Sequence, residues 1–221
     1  MIKKLLFVML SAFVLAACTL HRQEAEPLHQ TAPLFPDYAD VLLPVNISAP
    51  TFALNDSANS LESVQAVFSS GLETIIVGSD DTDGICISEA DWHKLVAASH
   101  EITVTIQGEK NGKWVEYDAF KMNISPDSID NTLVYRLIEP GYEVWNEMGI
   151  YQRSVENYDE DAIITNRQTD KGCMNCHSFC NYNPEQLMFH LRLNHAGTYM
   201  KNGKAQLRKL VTPKSLVYPS W

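Results

Sequence analysis

Between Asp40 and Ile124 the apolar residues come in short runs, several of which alternate with polar positions: "VLLPVNI", "SVQAVF", "ETIIVG", "GICIS", "EITVTIQG", "KWVEYDAF" and "FKMNI". A period of two over four to eight residues is the pattern of a half-buried strand. "KNGK" at Lys110 to Lys113 sets an Asn-Gly pair between two such runs, the strongest short hairpin signal. One helix interrupts the strands. Ser88 is placed to cap it, Asp91 follows three residues on, and Trp92, Leu95 and Val96 form an apolar stripe. "NTLVYRLIEPGYEVWNEMGIYQR" (Asn131 to Arg153) adds two strands about a turn at Glu139-Pro140-Gly141. Strands at this spacing predict an antiparallel β-sandwich-like domain over residues 37–153.

From Ser154 the pattern changes. "SVENYDEDAIITNRQTDKG" is polar and acidic and reads as a connecting loop. Asn183 and Pro184 predict the start of a helix carrying Leu187, Phe189, His190 and Leu191. "TYMKNGKAQLRKL" holds a second Asn-Gly turn and predicts a closing hairpin. The expected fold class is therefore mainly β: the sandwich, then a small α-helical module with a terminal hairpin over residues 154–221.

The opening "MIKKLLFVMLSAFVLAACTLHRQ" has a positive start at Lys3 and Lys4 and an apolar stretch from Leu5 to Val14, which reads as an export signal over residues 1–17. Leu15-Ala16-Ala17-Cys18 resembles the lipobox of bacterial lipoproteins, which implies cleavage before Cys18 and lipid on its sulfur. Several acyl chains make such an anchor stable. Residues 18–36 are polar with three prolines and read as a lipidated tether, about 60 Å long if fully extended. The expected location is the bacterial cell envelope, lipid-anchored, on the periplasmic or outer-membrane, surface-facing side. Removing Lys3 and Lys4 from the 17 basic residues leaves 15 against 27 acidic ones, a charge of −12 that argues against nucleic acid as partner. Thiols in an exported protein are oxidised, metallated or modified more often than free.

That gives weight to "CMNCHSFC" at Cys173 to Cys180. Cys173-Met174-Asn175-Cys176-His177 has the spacing of c-type haem attachment. Two cysteines three apart at a helix start would offer both sulfurs for thioethers, and His177 would be the proximal iron ligand through a neutral imidazole. Met188, His190, His195 and Met200 are candidates for the sixth position, His190 first and His195 second. Two other readings stand beside haem c. Cys173, Cys176 and Cys180 with one of His177, His190 or His195 would make a Cys3His zinc set. Alternatively the cysteines form disulfides, such as Cys86 with Cys180. Asp80-Asp81-Thr82-Asp83-Gly84 lacks the closing Glu of a calcium loop and reads as a solvated turn. No Ser/His/Asp grouping, phosphate loop or HExxH motif is present.

"YRLIEPGYEVWNEMGIYQR", "TNRQTDKGCMNCHSFC", "FHLRLNHAGTYMKNGK" and the earlier "FPDYADVLLPVNISAP" together resemble one family. It is the N-terminal, cytochrome-c-like region of bacterial lipoproteins that continue into a TolB-like β-propeller. The resemblance implies haem at Cys173, Cys176 and His177 and brings His190 and His195 forward together. Such a family enters its first propeller blade near "SLVYPSW", so residues 154–221 are expected to hold the redox module and the start of a missing downstream domain. The expectation is an electron carrier rather than an enzyme. Its partners would be a redox protein of the envelope and, through Cys18, the membrane. The alternative is an envelope binding or assembly module for a protein or glycan ligand, with the Cys/His cluster as a zinc or disulfide staple. An enzyme using haem with an open coordination position comes third.

Overall fold

The structure is a computed structural model that describes residues 20–55, 60–79, 84–138, 147–203, 207–211, 218 and 220–221. The signal segment, Cys18, the acidic positions 80–83 and the turn expected at 139–141 lie outside the described residues.

Strands dominate the first half. In chain order they are β1 (Glu26–Thr31), β2 (Leu34–Phe35), β3 (Leu42–Pro44), β4 (Thr51–Leu54), β5 (Ser63–Ser70), β6 (Glu73–Ser79) and β7 (Ile85–Cys86). Helix α1 (Glu89–Ala98) follows, then β8 (Glu101–Lys110), β9 (Lys113–Asp118) and β10 (Phe120–Ser125). The alternation in β5 does what period two dictates: Val64, Ala66 and Phe68 enter the core, while Gln65 faces away from it. Asn111 and Gly112 close the β8–β9 hairpin with φ of 52° and 73°, the left-handed pair of a two-residue turn. Ser88 caps α1, its hydroxyl accepting from the Asp91 amide at 3.1 Å. The helix buries Trp92 and Leu95 against the sheet, and the Trp92 indole donates to the Ile47 carbonyl at 3.0 Å. The small sheet β2–β4–β7 adds Phe52, Leu54 and Ile85 to the same core.

The main sheet has seven strands and is mixed, not wholly antiparallel as the strand spacing predicted. β8 is its hub, pairing with β5, β9 and β10. β1 runs parallel to β9, and β3 parallel to β10. Both parallel strands come from the stretch before Ala49, which returns along the sheet edges. The predicted tether is corrected here. From Glu26 it is an edge strand, and Leu34–Phe35 pairs with β4, so a polar, proline-bearing segment is held by backbone pairing that needs no apolar period.

The second half folds around its own core of Met148, Ile150, Ile164, Met174, Leu187, Phe189 and Leu191. β11 (Thr132–Ile138), β12 (Met148–Ser154) and β13 (Glu160–Thr165) form an antiparallel sheet. The loop expected over 154–172 thus contains β13 and a 3-10 turn at Asn166–Thr169. β14 (Cys173–Cys180), β15 (Asn183–Arg192), β16 (Gly197–Asn202) and β17 (Arg208–Lys209) form a four-stranded sheet. No α-helix occurs among the described residues of 154–221, which overturns the expected α-helical CxxCH module. The reason is visible in β15. Leu187 and Leu191 have helical spacing, but Phe189 stands between them on the same face, so the working period is two. Asn181 and Tyr182, at φ 48° and 60°, make a tight turn that sets Cys180 opposite Asn183 where a helix start was expected. Among the described residues no helix is long and apolar enough to cross a membrane.

Candidate functional site

The cysteine motif lies on β14, and the strand is irregular within it. Asn175 pairs with His190 and Ser178 with Met188, so Cys176 and His177 together oppose the single residue Phe189. This is a β-bulge. Its first residue, Cys176, has φ of 57°, a left-handed conformation that costs an L residue roughly 1–2 kcal/mol. Glycine is the usual occupant of such a position. Strain of this kind gathers at sites where a side chain is needed for something other than packing.

The bulge separates the motif's donors. Cys173 sits opposite Arg192 in register, and the Arg192 guanidinium feels both thiols, Cys176 and Cys173. Its own pKa is raised, first by hydrogen bonding and charge from Tyr218, then by those thiols. The Arg192 guanidinium also lies 5.5 Å from the Tyr218 ring centroid. His177 instead meets β11. Burial is the main cause that holds its pKa below the usual imidazole value; the Arg136 charge adds to this, and the Val134 backbone opposes it through a hydrogen bond. Its ring makes an edge contact with Phe179 at 5.8 Å between centroids. Nδ1 of His177 and Oγ of Ser178 are buried without a hydrogen-bond partner among the described residues. Two adjacent orphaned polar atoms are costly in a protein interior and single the bulge out as a functional candidate.

The four described cysteines, Cys86, Cys173, Cys176 and Cys180, are free thiols. The Cys86–Cys180 bridge is therefore not formed. No three His, Cys, Asp or Glu side chains converge as a metal set among the described residues, so the Cys3His arrangement is not assembled.

The candidate sixth ligands are divided between two settings. His190 is buried, only 7 % exposed, and its Nδ1 lies 3.1 Å from the Thr198 hydroxyl. Burial, then the Arg192 charge, lowers its pKa, which favours the neutral ring. Register puts Met188 and Met200 next to it on the face turned away from Leu187, Phe189 and Leu191. His195 sits in the β15–β16 turn, its Nε2 2.8 Å from an Asp170 carboxylate oxygen. Asn194 donates to the Asp170 backbone at 2.6 Å and Tyr199 to the His195 carbonyl at 2.9 Å, so this turn acts as a latch to the Asp170 loop. The helix expected to carry His190 toward Cys173 is replaced by direct strand pairing of His190 with Asn175.

Arg192, Thr198, Ser178 and the β11 backbone were missed by sequence reasoning. Arg192 is set against Cys173, and Thr198 against His190, only through cross-strand register, which no local pattern announces. The donor set suits haem c chemically, with two free thiols three apart and an imidazole following whose neutral form burial favours. The strand does not gather them on one centre. No protein-family model, no curated protein and no solved structure matches the chain.

Proposed function

We propose that the chain is a lipid-anchored protein of the bacterial cell envelope that carries one haem c and passes electrons. The observation that carries this reading is the CxxCH motif with both thiols unpaired and one imidazole nitrogen buried without a partner among the described residues. Cys173 and Cys176 would hold the porphyrin by thioethers, and His177 would ligate iron. The bound group would supply one-electron transfer at iron. The chain's own residues have simpler tasks. His190, held by Thr198, would be the first candidate to complete the iron's ligands, and His195, bonded to Asp170, the second. Arg192 places a positive charge beside the two attachment thiols. The acidic chain, at −10 overall, favours a basic redox partner, with an on-rate that falls as salt rises. Cys18 would carry the lipid.

This reading agrees with the resemblance to the cytochrome-c-like region of TolB-like propeller lipoproteins. The staple reading would need a disulfide or a gathered zinc set, and among the described residues the thiols are unpaired and no three such donors converge.

The test is expression with a competent haem-attachment system, followed by peroxidase staining of a denaturing gel. A stained band that disappears in Cys173→Ala and Cys176→Ala supports the reading. A colourless band with stoichiometric zinc supports the staple instead. Loading is also expected to weaken the strand signature of 173–180, because the β14 geometry does not bring His177 to the two thiols.

A further inference from the structure

The residues that follow Cys18 do not trail away from the fold. Leu20 packs over Gly78 of β6, its Cδ1 3.2 Å from where a Cβ on that glycine would stand. The His21 carbonyl accepts from the Gln65 amide of β5 at 3.2 Å. Gln107 of β8 grips Gln23 on both sides, its Oε1 accepting from the Gln23 amide at 3.1 Å and its Nε2 donating to the Gln23 carbonyl at 2.9 Å. Arg22 reaches both carboxylate oxygens of Glu116 on β9, at 3.0 and 2.9 Å. Successive residues thus cross β6, β5, β8 and β9 over the outer face of the sheet before β1 turns along its edge.

Below this crossing is a buried polar layer. Gln65 and Gln107 are 2 % and 0 % exposed, and they bond each other at 2.7 Å. Gln107 also donates to Glu116 at 2.7 Å. Buried amides are costly without partners. Here part of their hydrogen bonding is met by the backbone of residues 21–23, so the crossing belongs to the native fold.

Only one residue, Thr19, separates Cys18 from this docked segment. Two peptide steps span about 7 Å at most. We propose that residues 20–25 are a strap that fastens the fold directly to the phospholipid surface, with the Gly78 end of β6 against the headgroups. Leu20, half-exposed at that end, is the apolar side chain nearest the bilayer. The inference rests on lipidation of Cys18 within the proposed function and is independent of haem. The partner of this sheet edge is the bilayer itself, and the fold keeps a fixed height and orientation above it.

Trypsin reads the strap, because Arg22 is its cleavage point and a cut there releases the fold from membranes. The acylated protein is reconstituted in phosphatidylethanolamine/phosphatidylglycerol vesicles. Wild type should be cut at Arg22 about tenfold more slowly than Gln107→Ala or Glu116→Gln. The second substitution, at a partly exposed position, keeps the test usable where the first fails to fold. A fluorescent residue at position 79 should be quenched by headgroup-labelled lipid. That quenching should be lost when about ten Gly/Ser residues are inserted between Thr19 and Leu20. Vesicle-bound wild type cut as fast as the variants, or quenching that ignores the spacer, overturns the strap while leaving the anchor. Protein that never sediments with vesicles removes the anchor reading and the strap together.

Discussion

The conformation of Cys176 decides whether the motif sits on a bulged strand or a helix, and one pair of substitutions reads it. Cys176→Ala and Cys176→Gly both remove the second attachment thiol, so haem chemistry drops out of the comparison. At φ of 57° the alanine keeps the Cβ penalty and the glycine does not. That penalty is about 1–2 kcal/mol. Glycine gives part of it back through the greater freedom of its unfolded chain, about 0.4–1 kcal/mol. The balance favours Cys176→Gly by about 1 kcal/mol. In a helix the order reverses, with alanine ahead by about 1 kcal/mol. The two geometries therefore differ by about 2 kcal/mol in the same comparison and disagree in sign. Parallel urea titrations of the leaderless, haem-free variants measure it, and thermal melts should separate by about 2–4 °C. If Cys176→Ala is the more stable of the two, the bulge is not where β14 places it and the argument built on it fails.

Three further outcomes follow from the same hydrogen bonds and charges. Thr198→Val removes the hydroxyl from Nδ1 of buried His190 and should cost about 1–3 kcal/mol in denaturant, while Thr198→Ser should cost much less. His177 and His190 are both held below the usual imidazole pKa, chiefly by burial, so folding favours their neutral forms. Their stabilisation is complete above about pH 6.5 and is lost as pH falls through that value, levelling off below the depressed folded pKa. Urea midpoints should drop between about pH 7.5 and about pH 5.5, and His190→Gln should shrink the drop. Ser88→Ala removes the cap of α1 and should cost about 1 kcal/mol, read as a lowered melting temperature.

The first domain was legible because its signals are local. Asn111-Gly112 permits few backbones besides a tight hairpin, and Ser88 with Asp91 marks a helix start without tertiary help. What the pattern could not convey was partnership. Nothing in Glu26–Thr31 distinguishes a loose tether from an edge strand, since pairing with β9 uses the backbone and leaves the side chains polar. The parallel direction of β1 and β3 is equally silent, being set by how the chain returns across the sheet.

The second half misled for a different reason. CxxCH carries a helical expectation with it, and the spacing of Leu187 and Leu191 extends that expectation. Yet the segment from Cys173 to Arg192 pairs as a strand hairpin on either side of its irregularities: Met174 faces Leu191, Phe179 faces Leu187, and the Asn181-Tyr182 turn closes it. Strand logic breaks at Cys176 and His177, where an extra residue is forced out, a non-glycine takes a positive φ and a buried imidazole nitrogen has no partner among the described residues; the register shifts again between Phe179 and Cys180. A hairpin selected for folding alone would favour glycine at the first of these positions and an apolar residue at the second. Cysteine at the first position carries the cost of its positive φ, and histidine at the second leaves a polar nitrogen buried. The same two residues therefore carry both the local cost and the functional proposal, and the Ala/Gly comparison measures that cost directly.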